Sequence, residues 1–233
     1  HFNYLGMSIS VNQTLGEVKI NQKAYIIEYL KSTRNSNPRQ VSTPSTRDFF
    51  TKDTDQTSKD SDLFRSKVMK LMWIAKRSRP DILKEVVYLA TKCRQPTTDD
   101  DDRLDRIDGY LSGSINRVFT LKPKTLEISA MIDASYGIHE DNKGHTGIII
   151  SIGGSNILVK SVKQKLVARS STEAELIALD DGLVEVLWCR QFMEELGFGS
   201  EKPSIIYQDN KSTIILALKG NGNTGQTKHI KNR

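Results

Sequence analysis

Cysteine, proline and long apolar runs are scarce in this sequence, and each scarcity excludes a class of protein. The two cysteines, Cys93 and Cys189, lie far apart, without another cysteine or a histidine at metal-ligand spacing. This argues against a disulfide framework or a zinc finger and favours a reducing, intracellular setting. No segment approaches the run of about 18 apolar residues that spans a bilayer, so no membrane partner is expected. With 6 prolines and 15 glycines, the chain is not of the collagen or low-complexity type.

The residues that are present have an ordinary globular composition but an uneven charge distribution. Hydrophobic residues make up 37% of the 233 residues and charged residues 27%, so the chain can bury a core without covalent cross-links. Lysines and arginines outnumber acids 22 to 15 over residues 1–124, whereas residues 125–233 contain 12 against 13. The basic first half is consistent with a polyanionic partner and equally with an ordinary basic surface. Because the chain starts at His1 without a signal-like leader, we expect it to begin inside a longer polypeptide.

Apolar periodicity predicts a mainly helical region over residues 1–124. Residues 2–20 alternate between apolar and polar side chains on both sides of a turn, which predicts a short β-hairpin. Apolar residues then recur at three- and four-residue spacing in four segments that begin near Asn21, Ser61, Asp81 and Asp99. Residues 34–61 are rich in Ser, Thr, Asp and Pro, so we expect a flexible connector there. The acidic run at residues 99–102 has two explanations, stabilisation of a helix N-terminus or a metal site.

Beyond residue 124 the pattern changes to that of an α/β unit with a mixed sheet. Strands are predicted at residues 128–133, 147–152, 155–163 and 204–207. A long amphipathic helix is predicted from residue 171 to about residue 196, and a shorter helix follows the last strand. The last strand is almost continuously apolar, which predicts a buried position in the sheet.

Three acidic residues of this unit are expected to meet at one edge of its sheet. Asp133 ends the first strand, Asp209 follows the last strand, and Glu175 lies one turn into the long helix. Ligands of open α/β sheets bind beyond strand ends, where these carboxylates would converge on a cation. Oxygen ligands select Mg²⁺ or Mn²⁺, which can activate water for phosphodiester hydrolysis. Taken singly, Asp209-Asn210 could instead cap a helix, Asp133 could hydrogen-bond to a turn, and Glu175 could lie on a solvated helix face.

Short motifs such as Phe2-Asn3-Tyr4-Leu5-Gly6-Met7, Tyr110-Leu111-Ser112-Gly113-Ser114 and Gln208-Asp209-Asn210 are spread over nearly the whole chain. Together they resemble the C-terminal part of copia-type retrotransposon Pol polyproteins. Residues 2–7 resemble the end of the reverse-transcriptase palm, and residues 64–75, 79–82 and 110–114 resemble the thumb-to-connection block. The second half resembles the ribonuclease H domain of these polyproteins. Its matching motifs are Asp133-Ala134-Ser135, Thr146-Gly147, residues 160–165, residues 170–176, Gln208-Asp209-Asn210 and residues 227–230. The motifs occur in family order and at family spacing, which makes their combination specific.

This resemblance implies a reverse-transcriptase thumb and connection region over residues 1–124 and a ribonuclease H-like α/β domain over residues 125–233. It assigns catalysis and metal binding to Asp133, Glu175 and Asp209, and it selects Glu175 because this helix glutamate is followed by Leu. The implied reaction is Mg²⁺- or Mn²⁺-dependent hydrolysis of the RNA strand of an RNA–DNA hybrid. The implied partners are nucleic acid and the upstream palm and fingers of the Pol polyprotein. The implied locations are cytoplasmic virus-like particles and the nucleus. Since the chain begins after the paired aspartates of the palm, no polymerase active site is expected in it.

Lys160, Lys163, Gln164 and Lys165 around the end of the third strand are implied to bind nucleic acid. Alternation along the strand is expected to turn the three lysines toward one face, where they would contact the phosphates of a hybrid duplex. The alternative is a solvated strand face without a ligand. Contacts of this kind read backbone shape and 2′-hydroxyl groups, so little sequence specificity is expected.

Two departures from the family pattern support a second hypothesis. Lys231 occupies a position at which the family usually has aspartate. The sequence also ends at Arg233, before the strand and helix that supply a fourth metal-binding aspartate in the family. We therefore expect an open sheet edge and impaired hydrolysis. The second hypothesis is a decayed or domesticated remnant that binds nucleic acid or protein without cleaving it.

Overall fold

The computed structural model describes residues 1–33, 38–50, 57 and 60–219, and it confirms a mixed α/β architecture. Two four-stranded sheets are formed within these ranges, together with the helices that pack against them. The motif at residues 227–230, Lys231 and part of the predicted connector lie outside the described residues.

The first sheet is antiparallel and has the order β1-β2-β3-β4. Its strands are β1 (Phe2–Tyr4), β2 (Met7–Asn12), β3 (Glu17–Asn21) and β4 (Phe119–Leu121). The predicted hairpin is therefore present, but a tight turn at Leu5 and Gly6, both with positive φ, divides its first strand in two. Strand β4 reaches the sheet from far along the chain, so local periodicity could not predict this pairing.

The helices of the first half pack into a common core. They are α1 (Lys23–Lys31), α2 (Ser61–Arg77), α3 (Leu83–Lys92), which follows a short 3₁₀ turn at Pro80–Ile82, and α4 (Thr98–Gly113). Large core side chains that are each at most 2% exposed include Ile26, Phe64, Leu71, Leu89 and Ile107. The three- and four-residue apolar spacing of the sequence is thus explained by burial of one face of each helix.

Side-chain caps define the starts of two of these helices. Asp60 Oδ1 accepts a hydrogen bond from the backbone N–H of Leu63 at 2.9 Å, at the start of α2. At α4, Thr97 Oγ1 accepts from the N–H of Asp100, and the Asp100 carboxylate accepts from the N–H of Thr97 at 3.0 Å. The acidic run at residues 99–102 thus contributes a capping box, which favours the helix explanation over a metal site.

Asp108, a buried residue of α4, is expected to make folding stability depend on pH. Tyr29 Oη donates to Asp108 Oδ1 at 2.7 Å, while Asp108 Oδ2 has no hydrogen-bond partner in the part of the chain that the structure describes. Burial raises the pKa of Asp108 from 3.8 to about 6. Between these two values the folded protein holds a proton that the unfolded chain has lost, so the free energy of unfolding falls as the pH rises.

The variant Asp108→Asn keeps the acceptor for Tyr29 and removes the buried charge. We expect it to raise the free energy of unfolding at pH 7 by about 1–2 kcal/mol and to flatten its slope between pH 4 and 6, measured by urea denaturation. Asp102→Asn, an exposed change on the same helix, should stay within about 0.5 kcal/mol of wild type. An unchanged pH slope in Asp108→Asn would show that Asp108 is ionised normally in the fold.

The second sheet has the order β7-β6-β5-β8. Its strands are β5 (Ile128–Ser135), β6 (His145–Ile152), β7 (Ser155–Lys163) and β8 (Ile205–Tyr207). Strands β5, β6 and β7 are antiparallel neighbours, and β8 pairs with β5 in parallel. The prediction that the last strand is buried is wrong. Ile205 and Tyr207 are 52% and 56% exposed, because within the described ranges β8 is an edge strand that pairs only with β5.

Helix α5 (Ser171–Glu195) packs on one face of this sheet, and α6 (Lys211–Lys219) follows β8. The interface buries Ala130, Ile132, Ile148 and Ile150 from the sheet against Ala178, Val186, Cys189 and Met193 from α5. Gly182 lies against the Ile132 side chain, so closely that a Cβ at this position would clash with it. This glycine lets α5 approach β5, which carries one of the predicted acids.

Helix α3 contacts part of the opposite sheet face. Val159 of β7 packs against the helical core, and the ring of Tyr88 stacks on that of His139 at 5.7 Å. Over the described ranges, no helix is both long enough and apolar enough to cross a bilayer.

Candidate metal centre

The three predicted acids come together at one edge of the second sheet. Asp133, Glu175 and Asp209 each offer one carboxylate oxygen, and these oxygens all lie within 4.8 Å of one another. Parallel pairing of β5 with β8 brings the ends of both strands to the same edge, and α5 begins beside it. The three side chains therefore meet near the strand ends, as the sequence predicts.

The structure decides between the metal-binding role and the alternative role for Asp209 and for Glu175. Asn210, not Asp209, caps α6, because its Oδ1 accepts from the N–H of Thr213 at 3.0 Å. Glu175 is only 7% exposed, so it is not part of a solvated helix face. Glu173 is used at the start of α5, where its carboxylate accepts from the N–H of Arg169 at 2.8 Å. This leaves Glu175 as the helix glutamate that faces Asp133 and Asp209.

Glu175 is the electrostatically unusual member of the cluster. Burial raises the pKa of its carboxyl group, and the neighbouring charges of Asp133 and Asp209 act in the same direction. Hydrogen bonds from Gln208 Nε2, at 3.1 Å, and from the backbone of Ala134 oppose this rise by stabilising the charged form.

The donor set of the cluster suits a hard divalent cation. It consists of carboxylate oxygens alone, the ligands that Mg²⁺ and Mn²⁺ prefer over nitrogen or sulfur. Three like charges at this separation repel one another, and a cation between them would remove the repulsion. Asp133 and Asp209 are exposed, so ions held here could also reach an external substrate.

A groove of about 700 Å³ opens beside the acids on the sheet face opposite α5. Asp133 and Asp209 line it together with Lys84, Met131 and Tyr207. Met131 and Tyr207 are 59% and 56% exposed. The acids therefore border an open, partly apolar surface. The sequence did not reveal this groove, since apolar residues on a strand normally indicate a covered face.

Comparison with known proteins identifies the family. The chain is 34% identical over 205 residues to the retrovirus-related Pol polyprotein from transposon RE1 of Arabidopsis thaliana, a match that covers 84% of the chain and 14% of that protein. It is 32% identical over 200 residues to the polyprotein from transposon RE2 of the same plant, with the same coverage. The polyprotein from transposon TNT 1-94 of Nicotiana tabacum is 29% identical over 234 residues, or 97% of the chain and 18% of that protein. The chain is a homologue of copia-type retrotransposon Pol polyproteins.

This Pol homologue spans only 14% to 18% of the length of these curated relatives. No family model matches the chain, and no solved structure matches it significantly. The resemblance seen in the sequence motifs is therefore confirmed at the level of the polyprotein, and the chain corresponds to a part of it.

The expectation that alternation turns Lys160, Lys163 and Lys165 toward one face of the sheet is wrong. Lys160 pairs with Glu185 of α5, on one side of the sheet. Lys163 is three positions further along β7 and pairs with Asp141 at 2.9 Å. Successive side chains of a strand alternate between faces, so an odd separation places these two on opposite sides. Lys165 is exposed and lies beyond the end of β7.

Gln164, grouped with these lysines in the sequence, has a different environment. It is 2% exposed, and its Nε2 donates to Thr146 Oγ1 at 3.1 Å and to the carbonyl of Ala174 at 2.9 Å. Its side chain therefore connects the end of β7 by hydrogen bonds to β6 and to the first turns of α5. A direct contact with nucleic acid would require it to leave this buried position.

Gln208 is a residue of the cluster that sequence reasoning did not select as a site residue. It directly precedes Asp209, and its Nε2 donates to Glu175 Oε2. Gln208 belongs to the motif Gln208-Asp209-Asn210, but the motif does not show which side chain Gln208 contacts, so only its position in the fold reveals the hydrogen bond to Glu175.

Proposed function

We propose that this part of a Pol polyprotein hydrolyses the RNA strand of an RNA–DNA hybrid, using divalent metal ions held by Asp133, Glu175 and Asp209. The observation that carries the proposal is the convergence of these three carboxylates within 4.8 Å, beside the ends of strands β5 and β8. Three antiparallel strands, a long helix and a parallel fourth strand, all within the described residues, agree with a ribonuclease H-like domain that begins near residue 125. The helical residues before it correspond in this proposal to the thumb and connection region.

The three acids have different roles at this site. Bound Mg²⁺ or Mn²⁺ would activate the attacking water and stabilise the departing 3′-oxygen. Glu175 is buried and hydrogen-bonded, so its carboxylate is held in one orientation before any ligand arrives. Asp133 and Asp209 face the groove, so they can hold charge next to a phosphate of the substrate. The exposed position of this edge suits a duplex, which is too large for an enclosed pocket.

A cleavage assay tests the proposal. RNA labelled at its 5′ end is annealed to DNA and incubated with the chain in Mg²⁺, in Mn²⁺ or in EDTA. We expect cleavage of the RNA strand only with metal, and no cleavage of duplex DNA. Metal-independent cleavage would contradict the proposal, and hybrid binding without cleavage would favour the non-catalytic remnant.

Lys165 is expected to contribute more to hybrid binding than Lys160. The ammonium group of Lys160 already pairs with Glu185, whereas no ion pair of Lys165 is found in the described part of the chain. We expect Lys165→Ala to reduce the slope of log affinity against log salt by about one, the value for one lost phosphate contact, and Lys160→Ala to reduce it less.

The matched control for these variants is Lys202→Ala, measured in EDTA so that cleavage does not interfere. Lys202 pairs with Glu127, which precedes β5 and lies at the strand end away from the acids. Its replacement should leave the salt slope unchanged. An unchanged slope in Lys165→Ala would assign that lysine to an ordinary solvated surface.

A further inference from the structure

We propose that Gln208 is a positioning residue, which fixes the Glu175 carboxylate and the spacing of the three acids so that they bind a divalent metal. The inference rests on the proposed function, because it concerns the same metal centre. It adds a residue that acts on the metal only through its neighbours.

Every polar atom of the Gln208 side chain is engaged beside one of the acids. Its Nε2 donates to Glu175 Oε2 at 3.1 Å and to the carbonyl oxygen of Ile132 at 3.4 Å. Its Oε1 accepts from the backbone N–H of Asn210 at 2.9 Å. Ile132 immediately precedes Asp133, and Asn210 immediately follows Asp209. One side chain therefore joins the three segments that carry the three carboxylates.

The chemistry of an amide suits this position. Two N–H groups and one carbonyl oxygen are needed at once, and glutamine supplies them without charge. A glutamate here would place a fourth carboxylate against Glu175 and remove the donor. A methionine fills a similar volume but makes none of the three hydrogen bonds. Since partners that orient a metal ligand affect metal binding strongly, loss of these bonds should be visible in the affinity.

The Glu175 carboxylate depends on Gln208 for much of its restraint. Glu175 is 7% exposed, so little water can replace a lost donor. Among the described residues, the backbone of Ala134 also contributes a hydrogen bond to Glu175. Without Gln208, the carboxylate can turn away from Asp133 and Asp209, whose charges repel it.

The test compares Gln208→Met with wild type by calorimetric titration of the whole chain with Mn²⁺. We expect Mn²⁺ to bind about tenfold more weakly to the variant. Cleavage of a hybrid should shift to higher Mn²⁺ concentration and reach a maximal rate close to that of wild type. A role limited to folding would instead lower the midpoint of thermal unfolding in EDTA without shifting the Mn²⁺ dependence.

Asn210→Ala is the matched control. It removes the cap of α6 but keeps the backbone N–H that Gln208 accepts from. Its Mn²⁺ affinity should remain close to that of wild type. Wild-type affinity in Gln208→Met, or equal weakening in Asn210→Ala, would overturn the role of Gln208 while leaving the metal centre intact. Failure of the wild-type chain to bind Mn²⁺, or full binding by Asp133→Asn, would overturn the proposed function and this inference together.

Discussion

Replacing Asp133 by asparagine is expected to slow cleavage of the RNA strand in a hybrid by about a thousandfold. The substitution keeps the shape of the side chain but removes one of the three charges that converge within 4.8 Å. Metal ions contribute several kcal/mol of transition-state stabilisation, which corresponds to a rate factor of about a thousand. The comparison is made with single-turnover rates on a labelled hybrid at saturating Mg²⁺.

The Asp133→Asn variant should fold at least as well as wild type in the absence of metal. Asp133 is one of the charges that raise the pKa of Glu175, so its neutralisation relieves a repulsion. Glu173→Gln is the matched control, because glutamine keeps the acceptor for the N–H of Arg169. Its cleavage rate should remain within about twofold of wild type. Equal losses in the two variants, or wild-type cleavage by Asp133→Asn, would contradict the assignment.

A buried histidine pair is expected to make the fold unstable in acid. His139 Nε2 lies 3.0 Å from His145 Nδ1, and His145 Nε2 lies 2.6 Å from Ser161 Oγ. Both histidines are buried, at 5% exposure or less for the whole residue. Burial lowers the pKa of each from 6.5 to about 4. Charged groups that face the pair are Lys84, Lys92 and Lys163, which disfavour protonation, and Glu140 and Asp141, which favour it.

The direction of the effect follows from proton binding in the two states. Between pH 6.5 and 4 the unfolded chain takes up protons that the buried histidines do not, so the free energy of unfolding decreases as the pH falls. We expect a loss of about 3 kcal/mol from pH 7 to pH 4, less than two independent histidines would give because the pair is coupled. Urea denaturation in the Asp108→Asn background measures it, since Asp108 contributes a slope of the opposite sign.

His145→Gln should reduce the slope of the free energy of unfolding against pH, between pH 4 and 6.5, by roughly half. One of the two depressed pKa values is removed by this substitution. His1→Gln is the control, since His1 is exposed at the start of the chain. A slope that is the same in both variants would mean that the pair does not control acid stability.

Local sequence patterns were sufficient to predict most helices and strands of the fold and the convergence of the acids. Strand β7 has the predicted bounds, and α5 starts at the predicted residue and ends within a residue of the predicted end. Asp133 and Asp209 could be placed at one sheet edge because the sequence pattern puts them near the ends of two strands, whereas the choice of Glu175 over Glu173 came from the family resemblance. The placement of the two aspartates needed only the period of each strand and the rule for ligand sites at strand ends.

Features that depend on partners distant in sequence could not be predicted. The pairing of β3 with β4 joins Val18 to Leu121, far beyond the range of periodicity. Strand β8 has the apolar composition of a buried strand, but it is exposed. Composition does not show which strand lies at the edge of a sheet, so this exposure could not be predicted. The role of Gln208 depends on the approach of α5 to the turn after β8, which only the folded chain shows.

Anomalous diffraction from crystals of the chain bound to a hybrid and soaked in Mn²⁺ tests the metal centre most directly. We expect density between Asp133, Glu175 and Asp209, with two ions about 4 Å apart next to a phosphate of the RNA strand. The density should be lost or strongly reduced in crystals of Asp133→Asn. Wild-type crystals without anomalous density at these three carboxylates, at a Mn²⁺ concentration that supports cleavage in solution, would contradict the account.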